Sequence, residues 1–327
     1  MPARGRRRLL GLAAAAPLLL AQAAGDFPSR PLRFVVPFAA GGNTDVTARL
    51  YAGFIARALG QPVVVENRSG ATGAIGTEAV VRSRPDGYTL LLGSPGSIIN
   101  GPLLTAAPRY DPLTDLVPVA LLSQVPMVIV VRPGLPVGSL GELVEYSKRR
   151  PEGVTIGTSG IGGANHLPLE LFKAATGANL VHVPYRGGGS TLPDFLAGNV
   201  DGVLIEASSV LDLHRDGRSR ILGLAAPHRA ALAPEVPTFI EAGYPEFLAA
   251  SFVGLFAPAG TPAGIVERLQ AAITEATRDA AVQARLASFA ADLPSAAEMT
   301  TPGFAAYLQA EAVKARRAIA VAGLQPE

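Results

Sequence analysis

The chain has 327 residues, of which 49% are hydrophobic, and a formal net charge of +2. This length predicts about two domains, and the apolar content excludes a largely disordered protein. The sequence contains no cysteine, which excludes disulfides, thiol chemistry and cysteine-ligated metals.

Residues 1–23 are predicted to be a secretory signal peptide. Four arginines precede the apolar run Leu9–Leu20, which ends at the small-x-small pattern Ala21-Gln22-Ala23. The run is too short for a membrane-spanning helix, and a twin-arginine signal is left open as an alternative. Removing four of the 28 basic residues leaves 24 against 26 acidic ones, a net charge of −2. The mature protein is therefore expected to be exported, and nucleic acid is not an expected partner.

The mature chain opens with a β-α-β-α-β pattern. The apolar runs Leu32–Pro37, Pro62–Glu66 and Tyr88–Leu92 predict strands. Helical spacing predicts one helix from Asn43 and another over Ile75–Arg82. This alternation is typical of an α/β lobe with a parallel sheet.

Two further strands are predicted over Val117–Leu122 and Met127–Val131, joined by a turn at Ser123–Pro126. So short a link has no room for a crossover helix, so it predicts an antiparallel arrangement. We place the passage between two lobes here, with hinges expected near Val125–Val131 and Ala249–Leu255.

The second lobe repeats the first lobe's pattern. Strands are predicted at Val154–Thr158, Leu180–Pro184 and Val200–Ile205, and helices at Asn165–Ala175 and Thr191–Leu196. Return strands and C-terminal helices follow, at Ile221–Ala226, Phe252–Ala257, Pro262–Arg278, Ala280–Phe289 and Pro302–Ala322. We expect residues 24–124 plus 221–250 in the first lobe and 125–220 in the second. Residues 251–327, the last return strand and the C-terminal helices, are not assigned to a lobe.

Four loops rich in small residues each follow a predicted strand and open a helix. They are Gly41–Thr44, Gly93–Ser97, Ser159–Gly163 and Arg186–Ser190. Glycine permits close backbone approach, and helix N-termini present free N–H groups that suit an anion. Since the carboxyl ends of the strands meet at one edge of an open α/β sheet, these loops predict an anion cleft between the lobes. Each loop alone is equally typical of an ordinary turn, with Asn43, Thr44 and Asp45 as helix caps.

Other chemistries find no support in the motifs. The sequence has no Walker A loop, no Gly-x-Gly-x-x-Gly after the first strand and no Gly-x-Ser-x-Gly elbow. The four histidines lack metal-ligand spacing. We therefore expect no cofactor, no metal and no enzymatic activity.

Several ordered motifs resemble the Bug family, the extracytoplasmic solute receptors of tripartite tricarboxylate transporters. The first is Pro37-Phe38-x-x-Gly41-Gly42-x-x-Asp45-x-x-x-Arg49. The others are Pro62–Arg68, Pro85–Leu90, Tyr110–Pro112, His182–Gly188, Gly254–Pro262 and the closing Ala322–Glu327. The resemblance covers essentially the whole mature chain.

The resemblance implies a type II-like, two-lobed periplasmic binding protein with a central sheet and flanking helices in each lobe. Such a protein closes on a small carboxylate: a di- or tricarboxylate, an amino acid or an aromatic acid. It then delivers this ligand through transient contacts with membrane transporter subunits, and we expect a monomer. Its carboxylate is held largely by backbone N–H groups and ordered waters.

By position, the resemblance implies ligand contacts from both lobes. They are Gly41, Gly42, Asn43, Thr44, Asp45, Ser94 and Ser97 in the first lobe, and Ser159, Gly160, His166, Tyr185, Gly187 and Gly188 in the second. The sequence departs from the family pattern at Glu206, where many relatives have aspartate after the strand. Two orientations are open: Glu206 faces the cleft, repelling a second carboxylate or pairing with an ammonium, or it faces solvent or an arginine. Asp45 is open between helix cap and ligand contact.

Two alternative functions remain open at this stage. The same fold could present a ligand to a sensor kinase. An exported hydrolase could use Ser159 or Ser94 with His166, which would require a serine–histidine contact of about 2.6–3.2 Å.

Overall fold

The computed structural model describes residues 27–326, so the predicted signal peptide lies outside the described residues. The strands are β1 (Leu32–Val36), β2 (Val63–Asn67), β3 (Thr89–Gly93), β4 (Leu116–Val131), β5 (Val154–Thr158), β6 (Leu180–Pro184), β7 (Gly202–Glu206), β8 (Arg220–Leu224) and β9 (Ala250–Pro258). The helices are α1 (Asn43–Leu59), α2 (Ala74–Val81), α3 (Gly101–Leu103), α4 (Pro112–Asp115), α5 (Leu140–Lys148), α6 (His166–Thr176), α7 (Gly188–Leu196), α8 (Leu211–Arg215), α9 (Ala263–Arg278), α10 (Ala280–Ala287) and α11 (Thr301–Val321). Short 3-10 turns at Ala71–Gly73 and Ala207–Ser209 and a π turn at Gly96–Asn100 complete the described chain.

The strands form two sheets that share the long strand β4. The first has the order β2-β1-β3-β9-β4, and the second continues from β4 through β7 and β5 to β6, with β8 on the other side of β4. β1 pairs in parallel with β2 and β3, and β5 pairs in parallel with β6 and β7, whereas β4 and β9 run antiparallel to their neighbours. The predicted two-lobed α/β class is confirmed.

The passage between the lobes differs from the prediction. The expected turn at Ser123–Pro126 is part of a continuous strand, because β9 pairs with β4 from Leu116↔Pro258 through Pro126↔Ala250. The pairing of β4 with β9 shifts register after Pro118 and again after Leu121, as at β-bulges. The backbone pairing offered by β9 outweighs the local turn signal.

The expected place of residues 221–250 in the first lobe is wrong. β8 pairs with β4 at Val128–Val131, in the second sheet. Phe239 is fully buried there, and its ring packs edge-on to Phe172 of α6 at 5.6 Å between centroids. Only a 3-10 turn and the short α8 separate β7 from β8, and β8 pairs with the edge of β4 opposite β7. The chain therefore stays in the second lobe.

The C-terminal helices pack in the first lobe. Buried Leu269 of α9 and Leu286 of α10 share a core with Phe34 of β1. On the other face of that sheet, the Phe304 ring of α11 lies 5.2 Å from the Phe256 ring of β9. Helices thus cover both faces of the sheet, which leaves the carboxyl ends of its parallel strands facing the second lobe. None of the helices between residues 27 and 326 combines the length and the apolar character of a membrane span.

Candidate functional site

The strand ends of both lobes meet around a small cavity of about 30 Å³. Twelve residues line it: Phe38, Ala39, Gly42, Asn43, Thr44, Asp45, Ser94, Ser159, Ala164, Gly187, Gly188 and Glu206. Nine of them are predicted site residues. Phe38 and Ala39 were missed although they lie in the same motif, and Ala164 follows the predicted Ser159–Gly163 loop. None of the twelve is a lysine, arginine or histidine.

The first-lobe wall of the cavity is the start of α1. Gly41 has φ +83, a backbone conformation that favours glycine. Gly42 is the N-cap and supplies no side-chain hydrogen bond to the helix, so the first N–H groups of α1 are left uncapped. Asn43 is 8% exposed, and its Nδ2 has no hydrogen-bond partner among the described residues. This wall therefore presents hydrogen-bond donors, the Asn43 amide and the first N–H groups of α1, that a ligand acceptor could satisfy.

Asp45 is held by protein groups on both of its oxygens. Its Oδ2 accepts from Gly41 N–H and Arg49 Nε, each at 3.0 Å. Its Oδ1 accepts from Arg49 and Asn67, again at 3.0 Å. Burial raises the pKa of Asp45, but the hydrogen bonds from Arg49, Gly41 and Asn67 outweigh it and hold the pKa below its ordinary value. Asp45 lines the cavity but its side chain serves to fix the loop.

The second-lobe wall is ordered by Asn165, just before α6. Asn165 Oδ1 accepts from Ser159 N–H at 2.9 Å and from the Ser159 hydroxyl at 2.7 Å. Its Nδ2 donates to Leu204 O at 2.6 Å, which ties the loop to β7. The Ser159 hydroxyl therefore donates to an amide oxygen, and no contact to His166 forms as a nucleophile would require.

The loops of the two lobes are in direct contact, so this is a closed arrangement. A Cβ added at Gly42 would lie 3.5 Å from Gly189 N, and one at Gly189 would lie 2.2 Å from Ala40 O. The Thr72 hydroxyl donates to Ile161 O at 2.5 Å across the same boundary. A cavity of about 30 Å³ holds only about two water molecules.

Five predicted site residues lie outside this lining: Gly41, Ser97, Gly160, His166 and Tyr185. Most of them support residues that do line the cavity. Ser97 Oγ accepts from Ser94 N–H at 3.1 Å and so fixes that loop. Tyr185 donates its hydroxyl to Asp194 at 2.7 Å, away from the cavity. Gly160, at φ +121, allows close packing, since an added Cβ would lie 2.7 Å from Tyr185 O.

Gly41 lines a second, larger cavity that shares Asn43 with the first. Its volume is about 440 Å³, and it lies between the start of α1 and residues of the second lobe. Arg215 and Arg285 also line it. Ser208 Oγ is buried there without a hydrogen-bond partner among the described residues. A ligand longer than the small cavity could extend past Asn43 into this space.

The fold brings together His166, Glu170 and His182, a grouping that the sequence spacing does not reveal. One ligand atom from each lies within 4.8 Å of the others. However, Gly162 N–H donates to His166 Nδ1 at 3.0 Å, so the neutral ring carries its proton on Nε2, the nitrogen that faces Glu170. Lys173 pairs with Glu170 at 2.8 Å. Both features oppose a metal here.

The histidines instead support the second-lobe loop. The rings of His166 and His182 stack at 4.3 Å, and His182 Nε2 lies 2.6 Å from the Thr158 hydroxyl. Gly160 N–H donates to that same hydroxyl oxygen. Burial lowers the pKa of His166. Burial, and then the neighbouring His166 and Lys173, lower the pKa of His182 to about 4.

Glu206, whose orientation the sequence left open, lines the cavity at the end of β7 and is 8% exposed. Burial has the largest effect on the pKa of its carboxyl group, and its own backbone N–H and the Ser251 hydroxyl oppose that effect. Burial raises the pKa of Glu206, and no basic side chain within residues 27–326 forms an ion pair with it. Glu206 therefore places a carboxyl group without an ion-pair partner among the described residues at the cavity wall.

A family model described as the tripartite tricarboxylate transporter family receptor matches residues 47–324. The chain belongs to this family. BugT of Bordetella pertussis, a curated relative, is 40% identical over 284 residues, which are 86% of this chain and 87% of BugT.

Solved structures of similar receptors share the fold. MatC from Rhodopseudomonas palustris, solved with bound malate, is 32% identical with a TM-score of 0.85 and covers 90% of this chain and 100% of its own. An R. palustris protein solved with adipate is also 32% identical, with a TM-score of 0.88, and covers 92% of this chain and 100% of its own. The tripartite tricarboxylate transporter receptors are periplasmic solute-binding proteins, and carboxylates are the ligands of these two structures.

Proposed function

We propose that this receptor captures a small organic carboxylate between its lobes and delivers it to the membrane subunits of a tripartite transporter. The observation that carries the proposal is the wall at the start of α1. Asn43 Nδ2 is buried without a partner, beside a helix N-terminus that no side chain caps. A carboxylate supplies the acceptors that these donors lack, and the helix dipole favours its charge.

The two-lobed closure gives the mechanism. Donors from Asn43 and the start of α1 belong to one lobe, and the N–H groups at the start of α7, which no side chain caps, belong to the other. Only the closed form offers both sets, so the ligand shifts the equilibrium toward closure. The protein acts as a monomeric periplasmic carrier with its signal peptide removed, and its role is to bind and not to catalyse.

A calorimetric titration of the mature protein with malate and adipate tests this proposal. We expect Asn43→Ala to weaken carboxylate binding about tenfold, because it removes a charge-assisted hydrogen bond. Its free energy of unfolding should stay unchanged, since Nδ2 has no protein partner to lose.

The matched control is Asn199→Ala, whose exposed amide donates to Asp194 on the surface of the second lobe. It should leave the affinity at the wild-type value. If Asn43→Ala left the affinity unchanged, Asn43 would not be a ligand contact. Absence of binding by every small acid tried would contradict the proposed function itself.

A further inference from the structure

The cavity between the lobes is lined by two chemically unlike sets of groups. One set consists of donors: the buried Asn43 amide and the N-termini of α1 and α7. The other is the carboxyl group of Glu206, which ends β7. A ligand that fills the cavity therefore meets both donors and an acid.

The charged groups around Glu206 are few. Asp45 is the only other titratable residue in the cavity lining, and its oxygens are already bonded to Arg49, Asn67 and Gly41. From β9, Ser251 contributes a neutral hydroxyl, and Met127 of β4 is the register partner of Glu206. Among residues 27–326, no lysine, arginine or histidine lines this cavity or forms an ion pair with Glu206.

A second ligand group that lies against Glu206 can be received in two ways. An ionised Glu206 would require a ligand ammonium, because two unpaired carboxylates in one enclosed space repel strongly. A neutral Glu206 would instead donate its proton to a ligand carboxylate, as paired carboxyl groups do in proteins. The enclosed position favours the neutral form, since burial penalises an isolated charge.

We propose that Glu206 determines the ligand class: as a neutral carboxyl group it donates a hydrogen bond to the second carboxylate of a dicarboxylate, so that capture takes up one proton from solvent wherever Glu206 is ionised in the free protein. The inference rests on the proposed function and deepens it. The proton stays on Glu206 while the lobes are closed and returns to solvent when they open. No covalent bond changes.

The pH dependence follows from linkage. Burial already raises the pKa of Glu206 in the free protein, and a bound dianion raises it further. Above the free pKa, binding must take up a proton, so the affinity falls by up to about tenfold for each pH unit of increase. Below the free pKa, Glu206 is already protonated and the affinity is flat.

Calorimetry on the wild-type mature protein measures the uptake without any variant. Adipate is titrated between about pH 6.5 and 8.5, in two buffers of different ionisation enthalpy. We expect uptake that approaches one proton per adipate at the upper end of the range, with an affinity that weakens as the pH rises. A titration with glutamate at the same pH values tests the ammonium alternative.

The variant Glu206→Gln keeps a neutral hydrogen-bonding group in place of the protonated acid. It should bind adipate with no proton uptake and no pH dependence, whereas the exposed control Glu267→Gln should behave as wild type. Adipate binding by the wild type without proton uptake and with a pH-independent affinity at the upper end of this pH range would overturn the role of Glu206 and leave the carboxylate receptor intact. Loss of adipate binding in Glu206→Gln, or tight wild-type binding of glutamate that Glu206→Gln abolishes, would overturn it as well. If no carboxylate binds the wild type at any pH, both proposals fail.

Discussion

The two walls of the cleft are held in place by different kinds of interaction. In the first lobe, an ionised Asp45 gathers Gly41, Arg49 and Asn67 around the start of α1. In the second lobe, neutral groups fix the loop before α6: Asn165 accepts from Ser159 N–H, and His166 accepts from Gly162 N–H. The same glycine-rich loop pattern is thus fixed by charge on one side and by uncharged hydrogen bonds on the other. The walls should respond differently to mutation and to acid.

The largest effect is expected from Asp45→Ala. It removes four hydrogen bonds to a buried carboxylate, two of them from a guanidinium. We expect a loss of about 2–3 kcal/mol in the free energy of unfolding, measured by urea denaturation. The exposed Asp212→Ala, which breaks a surface pair with Arg215, should cost under about 0.5 kcal/mol. A loss no larger than the control's would contradict the charge-based description of the first wall.

Contact between the walls is tested by Gly189→Ala. The new Cβ would lie 2.2 Å from Ala40 O of the other lobe, so it obstructs closure and not folding of either lobe. Carboxylate affinity should fall about 10- to 100-fold, with little change in the thermal midpoint of the free protein. Gly141→Ala, whose Cβ would meet no atom within 4 Å, is the matched control. Unchanged affinity in Gly189→Ala would show that the bound state does not use this closure.

Acid should weaken the second wall first. The pKa of His182 is lowered from 6.5 to about 4 in the folded protein, so the unfolded chain binds more protons between these values. Stability is therefore unaffected above pH 6.5 and declines as the pH falls toward about 4. We expect the pair with His166 to contribute roughly 1–2 kcal/mol to this decline, since His182 is partly exposed. The first wall depends on Asp45, whose pKa lies below 3.8, so its loss begins only in stronger acid.

The variant His182→Gln removes one titrating ring from this pair. Its stability should fall less than that of the wild type between pH 6.5 and 4, as measured by urea denaturation at each pH, while the exposed His228→Gln should follow the wild type. If the free energy of unfolding declined equally in all three proteins, groups other than His182 would be responsible for the acid sensitivity.

Much of the fold follows from local sequence patterns. The strands Val154–Thr158 and Leu180–Pro184 have the predicted bounds, because short apolar runs between turn signals have few other solutions. The expected turn at Ser123–Pro126 was wrong because β9, more than 120 residues later in the chain, supplies the pairing that keeps β4 straight. Such a long-range partner leaves no trace in a local window.

The part of the candidate site that is formed by glycine-rich loops was predictable from the sequence. Glycine spacing indicated where Gly42 and Gly188 would face a ligand. The support of Ser159 by Asn165, and the stacking of His166 on His182, depend on tertiary packing and could not be read from spacing. Whether the Glu206 side chain faces the cavity depends on how β7 is oriented within the second lobe, which the local sequence does not specify.

A crystal structure of the mature protein grown with adipate tests the central claim most directly. The account predicts a closed protein with one carboxylate within hydrogen-bond distance of Asn43 Nδ2 and the first N–H groups of α1. Residues 159–165 should close over it from the second lobe. A closed structure with adipate bound outside this cleft, or held there without contact to the start of α1, would contradict the account.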